Sequence, residues 1–177
     1  KKQIVVSRSF GQRISSLKEL RPIVSNFAVR AAEKLRNEKQ KCSQVSVFVR
    51  TSPFNKNKPQ HSDLKTIELL TPTNDTRDIL AAAKKGLLPI FRPGYDYAKA
   101  GIILNKFTGE HVKQYSLFKD PNDPKQNTRL MKYLDQMNNC ETQIYYASQN
   151  TKKWSPMKQN MTSPKYTTNW YDLPRVK

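Results

Sequence analysis

In Val45-Ser46-Val47-Phe48-Val49-Arg50 a valine recurs at every second position, the period of a strand with one face in a core. Its valines face inward, so Ser46, Phe48 and Arg50 face outward with a hydroxyl, a ring and a cation. The same reading extends both ways along the chain. Ile4–Phe10 is strand-like and Gly11 permits a turn or bulge. Ser16 followed by Glu19 is a capping box. Behind it, Leu20, Val24, Phe27, Ala31 and Leu35 recur at helical spacing. Pro22 lacks an amide donor, so the helix is expected to begin near it or to kink there. Arg30, Glu33, Lys34 and Arg36 fall on the opposite, solvated face.

Downstream, Thr51 to Asp63 reads as a polar loop, and Thr66–Leu70 as a strand burying Ile67 and Leu69. Asn74 is the expected cap of a second helix, with Asp75 and Asp78 suited to the positive end of its dipole. Ile79, Ala83, Leu87, Ile90 and Phe91 form that helix's stripe, with a kink or early end expected at Gly86 and Pro89. Tyr97–Leu104 alternates again, placing Ala98, Ala100, Ile102 and Leu104 on one side and Tyr97, Lys99 and Ile103 on the other.

The order strand-helix-strand-strand-helix-strand predicts an α+β fold. It is a four-stranded, mostly antiparallel sheet with two helices on one face (βαββαβ). Its other face is left open, lined by Ser46, Phe48, Arg50, Tyr97 and Lys99, a surface suited to nucleic acid. Residues 1–107 form this domain. A linker over 108–125 follows, then a small α+β or irregular subdomain over 126–177. The subdomain is expected to hold a helix at Thr128–Met137, a short strand at Ile144–Ala147, and Trp154, Tyr166, Trp170 and Tyr171 as a small core or an exposed interface.

A formal net charge of +18 over 177 residues favours a polyanionic partner. No basic amphipathic helix rich in Trp or Phe points to a membrane surface, and apolar runs such as Ala100–Leu104 are too short to span one. No signal-peptide pattern opens the chain, and Lys1 in place of methionine suggests part of a longer protein. Cys42 and Cys140 match no metal spacing, and His61 and His111 add no ligand cluster, which fits a reducing cytosol.

Within the linker, Gln114-Tyr115-Ser116-Leu117-Phe118 has the form of a peptide that plugs a partner's groove. Its amide would anchor to backbone and its Leu-Phe pair would fill a cleft. Equally, Val112, Tyr115 and Leu117 fit a continuing strand.

Several strings then fit one family. They are Ser7-Arg8-Ser9-Phe10-Gly11, Ala31-Ala32-Glu33-Lys34-Leu35-Arg36, Thr51-Ser52-Pro53-Phe54 and Leu69-Leu70-Thr71-Pro72-Thr73 with Asp75, Arg77 and Asp78. Lys99-Ala100-Gly101, Gln114–Phe118, Ser163-Pro164-Lys165-Tyr166-Thr167-Thr168 and Arg175-Val176-Lys177 complete the set in order. The chain resembles, from end to end, the C-terminal part of the UmuC family, catalytic subunits of bacterial DNA polymerase V among the Y-family translesion polymerases.

The resemblance implies a little-finger domain gripping the primer–template backbone, a peptide docking on the sliding clamp (the DNA polymerase III beta subunit), and the family's own C-terminal domain. It implies a role in the SOS DNA-damage response, with a processed UmuD dimer and RecA as further partners and a bacterial cytoplasmic location. Arg8, Ser9 and Arg13 match its first strand, and Lys99 and Lys106 its last; Arg50 and Thr51 rest on parity. Ile103 is apolar where relatives often carry a cation, and Tyr115 is bulkier than the leucine often found there.

No cofactor or metal is expected in this part, although the intact polymerase would need Mg²⁺ for nucleotidyl transfer. Asp63, Asp75, Asp78, Asp96, Asp120, Asp123, Asp135 and Asp172 are scattered, so catalysis is not expected here. The competing classes are a free-standing RNA-binding protein that stacks bases on Phe48 and Tyr97, and a protein-interaction module whose charge only aids solubility.

Overall fold

Ser16 ends the first strand's connection as a helix cap, its hydroxyl accepting from the Lys18 amide at 3.2 Å. From there the order is β1 (Ile4–Ile14), α1 (Leu17–Asn37), β2 (Gln40–Thr51), β3 (Ser62–Thr73), α2 (Thr76–Ile90), β4 (Tyr97–Gly109) and α3 (Pro124–Asn138), with a 3-10 turn at Trp170–Asp172. This computed structural model describes residues 2–55, 57–112, 124–140, 144–149 and 161–173, with only the backbone of 124–127. The Gln114–Phe118 motif and Trp154 lie outside the described residues.

The strands form one sheet in the order β1-β4-β2-β3, and every pairing is antiparallel. Both helices lie on one face. The predicted stripes are the buried ones: Leu20, Val24, Phe27, Ala31 and Leu35 of α1, and Ile79, Ala83, Leu87 and Ile90 of α2. They pack on Val45, Val47 and Val49 of β2 and on Ala100, Ile102 and Leu104 of β4. Each such large side chain contributes about 1.5–3 kcal/mol on leaving water. α2 lies close to the sheet because Gly86 has no side chain: a Cβ there would meet Val47 Cγ2 at 3.2 Å and Ile67 Cγ1 at 3.4 Å. Burial in this core pushes the Cys42 thiol up to about 12.

Several local expectations are corrected. α1 begins at Leu17 and runs through Pro22, because the packed stripe outweighs one lost backbone bond. β3 starts at Ser62, four positions before Thr66, since pairing with β2 reaches back to Ser62 opposite Arg50. The α2 cap is Asp75, whose carboxylate accepts from the Arg77 amide at 2.8 Å; Asn74 instead offers its carbonyl to Arg36. The expected early end of α2 is met at Ile90, one residue past Pro89, although the helix continues through Gly86. Residues 144–147 form no strand. Tyr146 and Gln149 close a turn, with the Gln149 amide donating to the Tyr146 carbonyl at 2.8 Å. Tyr166, Trp170 and Tyr171 are exposed, so these described aromatics make no core. Arg36, placed by periodicity on the solvated face, has a side chain only 8% exposed. Among the described residues, no helix is long and apolar enough to cross a membrane.

Candidate nucleic-acid interface

Antiparallel partners point to the same face, so the register names the open surface row by row. One row reads Ser9, Lys99, Arg50 and Ser62 across β1, β4, β2 and β3. The next reads Ser7, Gly101, Phe48 and Leu64, and the third Val5, Ile103, Ser46 and Thr66. Asn105, Gln44 and Glu68 follow on the three strands that remain. The helices cover the opposite face, which leaves this one to solvent: Val5 is 47% and Leu64 50% exposed.

Arg50 and Lys99 stand directly opposite each other. Arg50 is exposed and Lys99 half-buried, and neither makes an ion pair among the described residues. Like charges directly opposite one another on neighbouring strands repel. An anion seated between them removes that cost, and the Ser9 and Ser62 hydroxyls on either side can donate to it. At the far end of the face, Lys106 has φ 53°, a left-handed conformation that swings its ammonium onto Glu68 at 2.7 Å. That contact holds the Glu68 carboxyl below its usual range, first through the hydrogen bond and then through charge. The centre is apolar. The Phe48 ring lies over Gly101, where a Cβ would sit only 2.6 Å from its Cε1, so the ring is spread on the sheet rather than raised from it.

The predicted residues therefore separate. Ser9, Arg50 and Lys99 share one row. Lys106 shares the face but is paired, and Arg13 is exposed in the irregular second half of β1. Arg8 is exposed but pairs with Ala100, on the side of the sheet that carries the helices. Ser46 faces the predicted way yet is 3% exposed, with its oxygen 2.8 Å from the Thr66 hydroxyl.

Thr51 and Tyr97 are corrections: both are core residues. Pairing passes from Arg50–Lys99 to Thr51–Tyr97, so Ala98 is an extra residue in β4 and the alternation slips by one. The Tyr97 hydroxyl accepts from the Arg92 amide at 2.9 Å and lies 3.2 Å from His61 Nδ1, while burial raises its pKa. The Thr51 hydroxyl accepts from the His61 amide at 3.0 Å. Ser7, Ser62, Leu64 and Thr66 belong to the face and escaped the reading. Ser62 lies in the stretch expected to be a polar loop and Leu64 between that loop and the expected strand, so neither carried a face, whereas Ser7 and Thr66 lie in expected strands, where alternation was the available signal.

Among the described residues no three His, Cys, Asp or Glu side chains come together as metal ligands. Asp75 caps α2 and pairs with Arg77 at 2.6 Å, which raises the arginine's pKa, while Asp78 accepts from the Thr73 hydroxyl at 2.9 Å.

Comparison with known proteins gives two consecutive matches. Residues 1–117 match the impB/mucB/samB family C-terminal domain, and residues 128–176 match a domain of unknown function, DUF4113. Protein UmuC of Salmonella typhimurium is 45% identical over 179 residues, covering 100% of this chain and 42% of that protein. Protein SamB of Salmonella typhimurium is 44% identical with the same coverage, and protein MucB of Escherichia coli is 42% identical over 98% of this chain and 41% of its own length. The chain thus spans about two fifths of the curated relatives it matches. One solved chain, from the complex of beta-clamp processivity factor and little finger domain of PolIV, aligns with a TM-score of 0.43 at 16% identity. It covers 66% of this chain and 99% of that one.

Proposed function

The chain belongs to the impB/mucB/samB family, and from that premise we propose that it is the non-catalytic C-terminal part of an error-prone translesion DNA polymerase. It grips primer–template DNA by the backbone and tethers the polymerase to a sliding clamp. The observation that carries the first half is the Ser9–Lys99–Arg50–Ser62 row, where two facing cations without ion-pair partners among the described residues lie between two hydroxyls. Strands about 4.8 Å apart make that row roughly 14 Å wide, on the order of the major groove. Phosphate contacts carry no sequence information, which suits an enzyme that must accept damaged templates.

The test is affinity for a primer–template duplex against salt. Replacing both Arg50 and Lys99 with alanine should weaken binding for all sequences alike and make the salt slope shallower by about 2, one per phosphate contact. An unchanged slope would remove the row from the interface. Tighter binding to single-stranded RNA than to duplex would favour base stacking on the Phe48 ring instead.

The second half rests on Gln114–Phe118, whose order of amide and Leu-Phe pair fits a clamp groove. Two weak attachments to one assembly raise the local concentration of the polymerase at the primer end. Changing Leu117 and Phe118 to alanine should abolish clamp binding and leave duplex affinity within about twofold. Retained clamp affinity would exclude the motif. Nucleotidyl transfer, with its Mg²⁺, is assigned to the rest of the polymerase. Likeness to UmuC extends the proposal to a processed UmuD dimer and RecA as partners in an SOS response in the bacterial cytoplasm.

A further inference from the structure

On the helix-covered side of the sheet, Arg36 is gripped from two directions. Its Nη1 donates to the Asn74 carbonyl and the Thr76 hydroxyl, each at 2.8 Å. Both acceptors lie at the start of α2, so α1 and α2 alone set the guanidinium in place. Its remaining edge, Nε and Nη2, faces outward. Asp135 of α3 fills that edge with both oxygens, Nε to Oδ2 and Nη2 to Oδ1, each at 2.6 Å. This is the parallel two-bond geometry in which an arginine recognises a carboxylate.

Among the described residues, few other contacts hold α3. Of its described side chains, Met131 alone is fully buried, and the Tyr146 hydroxyl donates to its sulfur at 3.5 Å. Farther along, Gln149 donates to Asn26 of α1 at 3.1 Å, and Lys132 lies 3.8 Å from Glu110 with its side chain largely exposed. A helix of α3's length is marginal in water without tertiary support.

We propose that Arg36, Asn74 and Thr76 form a carboxylate socket, and that Asp135 is the side chain by which the segment of unknown function latches reversibly onto the back of the sheet domain. The socket is built before its occupant arrives, because three of its elements belong to the sheet domain. The latch places the segment behind the helices and leaves the open sheet face clear. It stands whether or not that face grips DNA.

Amide hydrogen exchange on the full 177-residue chain tests it. Asp135→Asn keeps shape and removes the charge. Exchange over 129–139 should accelerate about tenfold, while Val45–Val49 and Ala100–Leu104 stay within about twofold. Asp135→Ala separates docking from helix propensity: alanine favours helix, yet the same acceleration is expected. Gln136→Ala, on the exposed side, should change nothing beyond about twofold. Unchanged exchange in Asp135→Asn overturns the latch. Equal acceleration in α3 and the sheet overturns it too, because segment and domain would then open as one unit.

Discussion

Gly101 lies between Ser7 and Phe48, and a Cβ there would approach the Ser7 Cβ at 2.4 Å and the Phe48 ring at 2.6 Å. Neither neighbour can yield cheaply, since one is tied directly to backbone and the other is a rigid ring. Gly101→Ala should therefore destabilise the domain by about 1–3 kcal/mol, read as a lower urea midpoint with an unchanged slope. An unaltered midpoint would mean the ring is free to lift. At this scale the sequence was a partial guide. The outward placement of Arg50 and Lys99 was legible from alternation, whereas the burial of Ser46 against Thr66 required knowing which residue of β3 stands opposite. Arg36 was misread for the same reason: its partners lie 38, 40 and 99 residues away.

Elements were legible where periodicity was long. α1 and α2 carry stripes of several turns, and β2 alternates cleanly, so their buried faces follow from spacing alone. Irregular positions defeated it. The extra residue Ala98 shifts Tyr97 from the open face into the core, and no local signal distinguishes a bulged Ala from an ordinary strand Ala. The α2 cap is Asp75 and not Asn74, two adjacent residues of nearly equal capping strength that local sequence does not separate. Asp75 receives the Arg77 amide at 2.8 Å while 6% exposed. Asp75→Ala should cost about 1–2 kcal/mol, and Asp75→Asn, which keeps an accepting oxygen, clearly less, both measured by chemical denaturation. Equal losses would assign the effect to the Arg77 ion pair rather than the cap.

The whole molecule presents two faces with different chemistry. The open sheet face offers unneutralised cations above a partly exposed apolar centre, and the helix side receives α3 through the Asp135 carboxylate and the buried Met131. Salt should act on them unequally. Exposed phosphate contacts release counterions and weaken steeply, whereas the largely buried Arg36–Asp135 pair is screened much less. What the sequence by itself determined was the element order, the helices' inner stripes and the overall basic charge, because each depends on composition or on neighbours within a few residues. Only the tertiary structure decided which cations share a row, that Tyr97 is core, and that Arg36 has a partner across the chain. Those depend on strand register and on contacts between residues far apart in sequence, which local periodicity does not encode.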